Sequence, residues 1–114
     1  MRLDGARVVI TGAGSGIGAA TAARCAQAGA DVVSVDIDPD ACETGTAYGC
    51  DVADADAVQA LADELGPVDV LVNNAGVGVA GPLLDTTVAD WAWLRSINLD
   101  GVAHGCYAFG PGMV

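Results

Sequence analysis

Four glycines stand within seven consecutive residues, at Gly12, Gly14, Gly16 and Gly18, directly after the apolar run Val8-Val9-Ile10. With Thr11 in front, the segment 11–18 reads Thr-Gly-Ala-Gly-Ser-Gly-Ile-Gly, and an alanine-rich stretch follows. A strand that turns sharply into a helix leaves the first N–H groups of that helix unpaired and aims its positive dipole end at the turn. Such an end holds anions, phosphate above all. Glycine supplies the positive φ angles and lets a ligand approach the backbone closely. A glycine-rich junction alone is equally an ordinary turn. Asp36 adds weight, because it closes the next apolar run 18 residues after Gly18. That is close to the spacing at which a carboxylate accepts from the ribose of a bound dinucleotide. As a strand-end acid it could instead face solvent or cap Pro39.

The elements that must position these residues alternate along the whole chain. Valine-rich runs predict strands over 7–11, 31–36, 47–51 and 68–73. They lack strict alternation, as expected where helices cover both faces of a parallel sheet. Helices are predicted over 17–28, 39–44 (short), 54–65 and 87–109. In the third, Val58, Leu61, Ala62 and Leu65 form one apolar stripe. The last opens on Thr87-x-x-Asp90, a variant of the capping box. Gly29 and Gly66-Pro67 mark helix ends. Right-handed crossovers make this an α/β, Rossmann-type doubly wound parallel sheet, with ligands beyond the carboxyl ends of its strands.

Composition bounds the function. The 114 residues, 53% of them apolar, suit one small folded domain. A net charge of −11 excludes nucleic acid and anionic membrane as partners. Asp69, Asn73, Asn74 and Pro82 break the apolar stretch 68–84, so no membrane span is expected there. With the first strand expected within a few residues of Met1, secretion by a signal peptide is not expected. Cys25, Cys42, Cys50 and Cys106 show no paired spacing, and a reducing, cytoplasmic setting follows. His104-x-Cys106 contains the only histidine, so no metal site is expected.

Four motifs in order carry a family resemblance: Thr-Gly-x-x-x-Gly-x-Gly at 11–18, Cys50-Asp51-Val52, Asn73-Asn74-Ala75-Gly76, and Ser96-Ile97-Asn98-Leu99. Together they resemble the short-chain dehydrogenase/reductase family over essentially the whole chain. The resemblance implies a nicotinamide dinucleotide site in a sheet of strand order 3-2-1-4. Gly12, Gly16 and Gly18 would form the turn, with Ser15 and the N–H of Ile17 near the phosphates. Asp36, followed by Ile37, would accept from the adenosine ribose. Asp51 and Val52 would meet adenine, and Asn74, Ala75 and Gly76 the ribose. Asp51 could also cap the following helix, and the Asn-Asn-Ala-Gly segment could serve as a plain turn. Ser15 and Ile37-Asp38 stand where relatives that use the phosphorylated cofactor carry a cation, so NAD is expected over NADP.

Asn98 falls seven residues after Trp91 and four after Leu94, on the apolar face of its helix. A buried amide without partners costs about 1–3 kcal/mol, so a partner is expected. The resemblance implies that Asn98 bends the helix and serves a proton relay as a catalytic residue. A helix-surface asparagine is the simpler alternative.

All four basic residues are arginines, Arg2, Arg7, Arg24 and Arg95. The family's proton donor is a tyrosine followed four residues later by a lysine, and a chain without lysine cannot contain that pair. Tyr107 lies only nine residues after Asn98, and position 111 is Pro111. The 114 residues therefore read as a single, incomplete NAD-binding Rossmann domain, truncated after the fourth strand and the long helix. The function expected is that of an oxidoreductase moving hydride between nicotinamide and a small alcohol or carbonyl substrate, homo-oligomeric at full length. A non-catalytic dinucleotide-binding module is the alternative. A methyltransferase using S-adenosylmethionine is more remote, since Thr11 stands where those enzymes carry an acid.

The order 3-2-1-4 leaves the strand at 68–73 with one free, apolar edge, an association hazard. The chain alone is expected to self-associate in sedimentation experiments; a soluble monomer that melts cooperatively would contradict this.

Overall fold

Val8, Val9 and Ile10 are wholly shielded from solvent, so the strand that carries them must lie inside the sheet. The computed structural model, which describes residues 2–114, places it there. Strand β1 (Arg7–Thr11) pairs in parallel with β2 (Asp31–Asp36) on one side and β4 (Val70–Val72) on the other. Strand β3 (Thr46–Gly49) extends β2, giving the order β3-β2-β1-β4 that the family resemblance implied.

Alternation along the strands splits the core into two layers. Val9, Val33 and Val35 pack with Val58, Leu61 and Leu65 of α2 (Ala55–Leu65) and with Phe109 of α4 (Gly101–Phe109). Val8, Ile10 and Val32 pack with Ala22 of α1 (Gly16–Gln27) on the opposite face. Ser34, the polar exception on β2, is fully buried and donates to the Thr44 carbonyl at 2.6 Å. At the other end of β1, Arg7 gathers three elements. Its Nε meets the Asp31 carboxylate at 3.1 Å, its guanidinium donates to the Leu65 carbonyl at 2.6 Å, and its backbone N–H donates to Asp69 at 2.8 Å.

Helix starts follow their caps. Asp54 accepts from the N–H groups of Asp56 and Ala57, both at 3.1 Å, and so caps α2. Asp51, the alternative cap, lies too far upstream and accepts from the Ala53 N–H at 2.9 Å instead. Helix α3 (Val88–Arg95) opens on the expected capping box, with Thr87 and Asp90 each accepting from the other's N–H.

Three expectations need correction. The segment 39–44 forms only a single 3-10 turn, Pro39–Ala41. The chain must swing back into β3 there, and Gly45, with φ +68°, sits so tightly under the Val32 carbonyl that no side chain fits. Strands β3 and β4 are shorter than predicted; beyond Val72 the Asn74 N–H goes to the Thr11 hydroxyl instead of the ladder. The helix predicted over 87–109 is interrupted by a π turn, Ser96–Asp100, between α3 and α4. Among the described residues no helix is long and apolar enough to cross a membrane.

The burial pattern sets an expectation for stability. Ile10→Val should lower it by about 0.5–1.5 kcal/mol in chemical denaturation, since it removes one methylene from a sealed site. Leu84→Ala, at a residue 94% exposed, should change it by less than about 0.5 kcal/mol.

Candidate functional site

The site is built at the carboxyl end of the sheet, where β1 stops at Thr11. The Thr11 hydroxyl accepts from the backbone N–H groups of Asn74 and Ala75, both at 3.0 Å, and donates toward the Val72 carbonyl at 3.4 Å. The Asn74 side-chain amide returns the bond, donating to the carbonyls of Thr11 at 3.0 Å and Gly12 at 3.3 Å. The turns after β1 and β4 are thus stitched face to face. Their backbones approach so closely that side chains have no room. A Cβ on Gly12 (φ +67°) would lie 2.9 Å from Ala75 Cα, and one on Gly18 would collide with the Gly12 carbonyl oxygen. The Gly14 N–H donates to the Asp36 carboxylate at 2.9 Å, which ties the glycine turn to the end of β2.

This leaves the start of α1 open. Ser15 precedes it in an extended conformation and makes no side-chain cap, and the first turn holds no acid. Helices α2 and α3 differ in both respects, each with a capping side chain and an acid in its first turn. Ser15, Gly16 and Ile17 are exposed there, whereas Gly18 is buried under the turn. Unpaired N–H groups and the helix dipole suit this end to an anion.

Beside it lies a cavity of about 230 Å³. Gly12 and Val35 line it from the sheet, Asp36 and Ile37 from the end of β2, and Cys50, Asp51 and Val52 from the segment after β3. Ala75, Gly76 and Val77 follow β4, and Trp93 and Ile97 complete the lining from α3 and the π turn. No cation lines it. Burial, and then the nearby carboxylates of Asp51 and Asp54, push the pKa of the Cys50 thiol up, which keeps it neutral rather than nucleophilic.

Asn98 has the partner its chemistry demands, but not the burial that its place on the apolar face suggested. It is exposed, because that face, including Trp91 at 55% exposure, is itself exposed. Its amide accepts from the Val77 N–H and donates to the Val77 carbonyl, both at 2.8 Å. The π turn is thereby fastened to the loop behind Gly76. His104, dismissed as a metal ligand, has a packing role: its Nδ1–H donates to the Val52 carbonyl at 2.7 Å. One turn earlier, Gly101 leaves no space for a Cβ against the Val52 side chain. Helix α4 therefore holds the segment after β3 in place at two points.

The expected site residues gather at this one edge. Gly12, Asp36, Ile37, Asp51, Val52, Ala75 and Gly76 line the cavity. Ser15, Gly16 and Ile17 stand at the start of α1, and Gly18 and Asn74 lie beneath, holding the turns together. Asn98 touches the site through Val77 and does not line the cavity. Sequence reading missed the Thr11 hydroxyl, Val77, Trp93, Ile97 and His104. Thr11 and Ile97 belong to motifs already noted, and Trp93 stands one helical turn before Ile97. The pairing of His104 with Val52, 52 residues apart, left no local signal.

Comparison with known proteins agrees with this geometry. The profile of the family described as short chain dehydrogenase matches residues 6–114. D-threitol dehydrogenase of Mycolicibacterium smegmatis is 41% identical over 128 residues, covering 99% of this chain and 49% of its own length. A short chain dehydrogenase/reductase from Burkholderia phymatum, solved in complex with NAD, superposes with a TM-score of 0.89 at 40% identity. That match covers 99% of this chain and 46% of the other. A gluconate 5-dehydrogenase from Burkholderia cenocepacia, solved with NADP and tartrate, gives 0.87 at 36% identity, over 96% of this chain and 49% of its own. The chain spans about half the length, or less, of the curated relatives it matches.

The stitch at Thr11 can be tested directly. Thr11→Val keeps the shape but leaves two backbone N–H groups without their acceptor, and should cost about 1–3 kcal/mol in denaturant unfolding. Thr11→Ser retains the hydroxyl and should recover most of that loss.

Proposed function

The chain belongs to the short chain dehydrogenase family, and on that premise we propose that its cavity takes the adenosine half of NAD. The function proposed is that of an oxidoreductase moving hydride between nicotinamide and a small alcohol or carbonyl compound. Polyol and sugar dehydrogenases among the relatives favour that substrate class. The observation that carries the reading is the pairing of a carboxylate-edged cavity with an uncapped helix start. Gly12 and Gly18 leave the backbone bare, and the N–H groups at the start of α1 are free for a diphosphate.

In this reading Asp36 accepts from the ribose hydroxyls. Its carboxylate already receives the N–H groups of Gly14 and Asp38, at 2.9 and 3.0 Å, and an ionised carboxylate has about four acceptor sites. Those two bonds hold it in place and leave capacity for a ligand. Asp51 and Val52 face adenine, and Asn74, Ala75 and Gly76 border the ribose. Ser15 and Ile17 flank the phosphates. Asn98, through Val77, sets the position of the loop on the way to the reacting end. The bound nicotinamide supplies or accepts the hydride. The proton needs other groups: these 114 residues contain no lysine, so no Tyr-x-x-x-Lys pair lies among them. The residues given bind and orient the cofactor; a dinucleotide-binding module, for which the cavity and the open start of α1 would suffice, is the second reading. Methyl transfer has no support once the family is known.

Preference for NAD follows from Asp36. A 2′-phosphate would meet that carboxylate with no cation in the lining, like charge against like. At equal concentration NAD should raise the melting temperature more than NADP, and a larger shift with NADP would overturn the assignment. Asp36→Asn should weaken NAD binding by about 1.5–3 kcal/mol, the value of a hydrogen bond to a charged acceptor, while narrowing the gap to NADP.

A further inference from the structure

The chain has two tryptophans, Trp91 and Trp93, both on α3. No residue of α3 is buried, so neither indole anchors that helix in the core. Trp93 nevertheless lines the cavity, with 46% of its surface exposed, and Ile97 continues the same wall one turn on. The other apolar walls are aliphatic, Val35, Ile37, Val52 and Val77 among them, so Trp93 brings the only aromatic ring to the cavity. A flat heterocycle is the ligand chemistry that such walls suit, and a base stacked on an aromatic side chain gains without any demand on sequence-specific hydrogen bonds.

We propose that Trp93 is the aromatic face of the adenine subsite and supplies a large share of the affinity for the adenosine half of the cofactor. This rests on the reading that the cavity holds an adenine dinucleotide. It adds that the base is held on its face by the indole, rather than by its edge alone. Ile97 lines the cavity one helical turn on, and the carboxylate of Asp36 fixes the sugar beside it.

ADP-ribose, NADH and nicotinamide mononucleotide serve as probes, titrated by calorimetry on the full chain. Trp93→Ala should weaken ADP-ribose and NADH about tenfold, a value within the range for base–aromatic stacking, and leave nicotinamide mononucleotide unchanged. Trp93→Phe should restore most of the loss. Equal loss for all three ligands would mark Trp93 as merely structural and overturn the proposal, as would unaltered ADP-ribose binding. A second measurement does not depend on the alanine variant folding. In Trp91→Phe the indole of Trp93 is the sole tryptophan, and its emission should change when ADP-ribose binds. Binding seen by calorimetry with no change in emission would overturn the proposal while leaving the cofactor reading intact. Failure of the unaltered chain to bind any adenosine ligand would overturn both.

Discussion

The rest of the site depends on one crowded junction, where three pieces of backbone meet with no room for side chains. Gly12 lies against Ala75, Gly18 lies under the Gly12 carbonyl, and the Thr11 hydroxyl and Asn74 amide lock the two turns together. Because β1 is the buried centre of the sheet, the junction inherits its rigidity. It fixes the direction in which α1 leaves the sheet and the height at which the chain emerges from β4. The cavity is the space left between those two exits and the end of β2. A methyl group added at Gly18 would separate the very surfaces that define it. The glycines, Thr11 and Asn74 therefore act as a unit, although they come from segments about sixty residues apart in the chain.

Electrostatics reinforce this geometry in an unusual way. A chain of net charge −11 offers little long-range attraction to an anionic ligand. Nor does a basic side chain line the cavity. Attraction has to be short-ranged and come from the backbone, which is what an uncapped helix start provides. The contrast among the helices fits that demand. Where an end is structural, as at Asp54 and Thr87, a side chain closes it; where a ligand is expected, the end is left open. The same logic separates the two carboxylates near the cavity. Asp36 is tied to the glycine turn by the Gly14 N–H as well as to its own loop by the Asp38 N–H, whereas Asp51 turns back only on its own loop at Ala53.

Much of this was legible in the sequence because it is encoded locally. Val8-Val9-Ile10 announces a buried strand, Thr87 with Asp90 announces a helix start, and Gly12, Gly16 and Gly18 announce the tight strand-to-helix turn of a Rossmann-type sheet. What the sequence hid depends on contacts between distant segments. Asp51 reads as a cap for the helix predicted over 54–65, and only the path of the loop gives that role to Asp54 instead. The stripe through Trp91, Leu94 and Asn98 reads as a buried face, yet in the fold Leu94 is only half-buried and Trp91 and Asn98 are exposed, the Asn98 amide meeting just the Val77 backbone. The short stretch after Pro39 is helical by composition, and the tight passage of Gly45 beneath Val32 cuts it off. The hydrogen bond from His104 to Val52 is invisible for the same reason, since neither residue carries a mark of the other.

The π turn at Ser96–Asp100 has a consequence for how one helical segment can face two ways. Four residues of an α-helix overshoot a full revolution by about 40°. Trp93, Ile97, Gly101 and Gly105 are spaced by fours, so in an unbroken helix the last would have drifted about 120° from the line of the first. The wider turn takes up an additional residue and cancels part of that angular drift. Trp93 and Ile97 can then look into the cavity while Gly101 meets Val52 and Gly105 meets Asn73. The local irregularity thus works as a vernier, keeping the ligand-facing half of the segment in step with the half that grips the sheet.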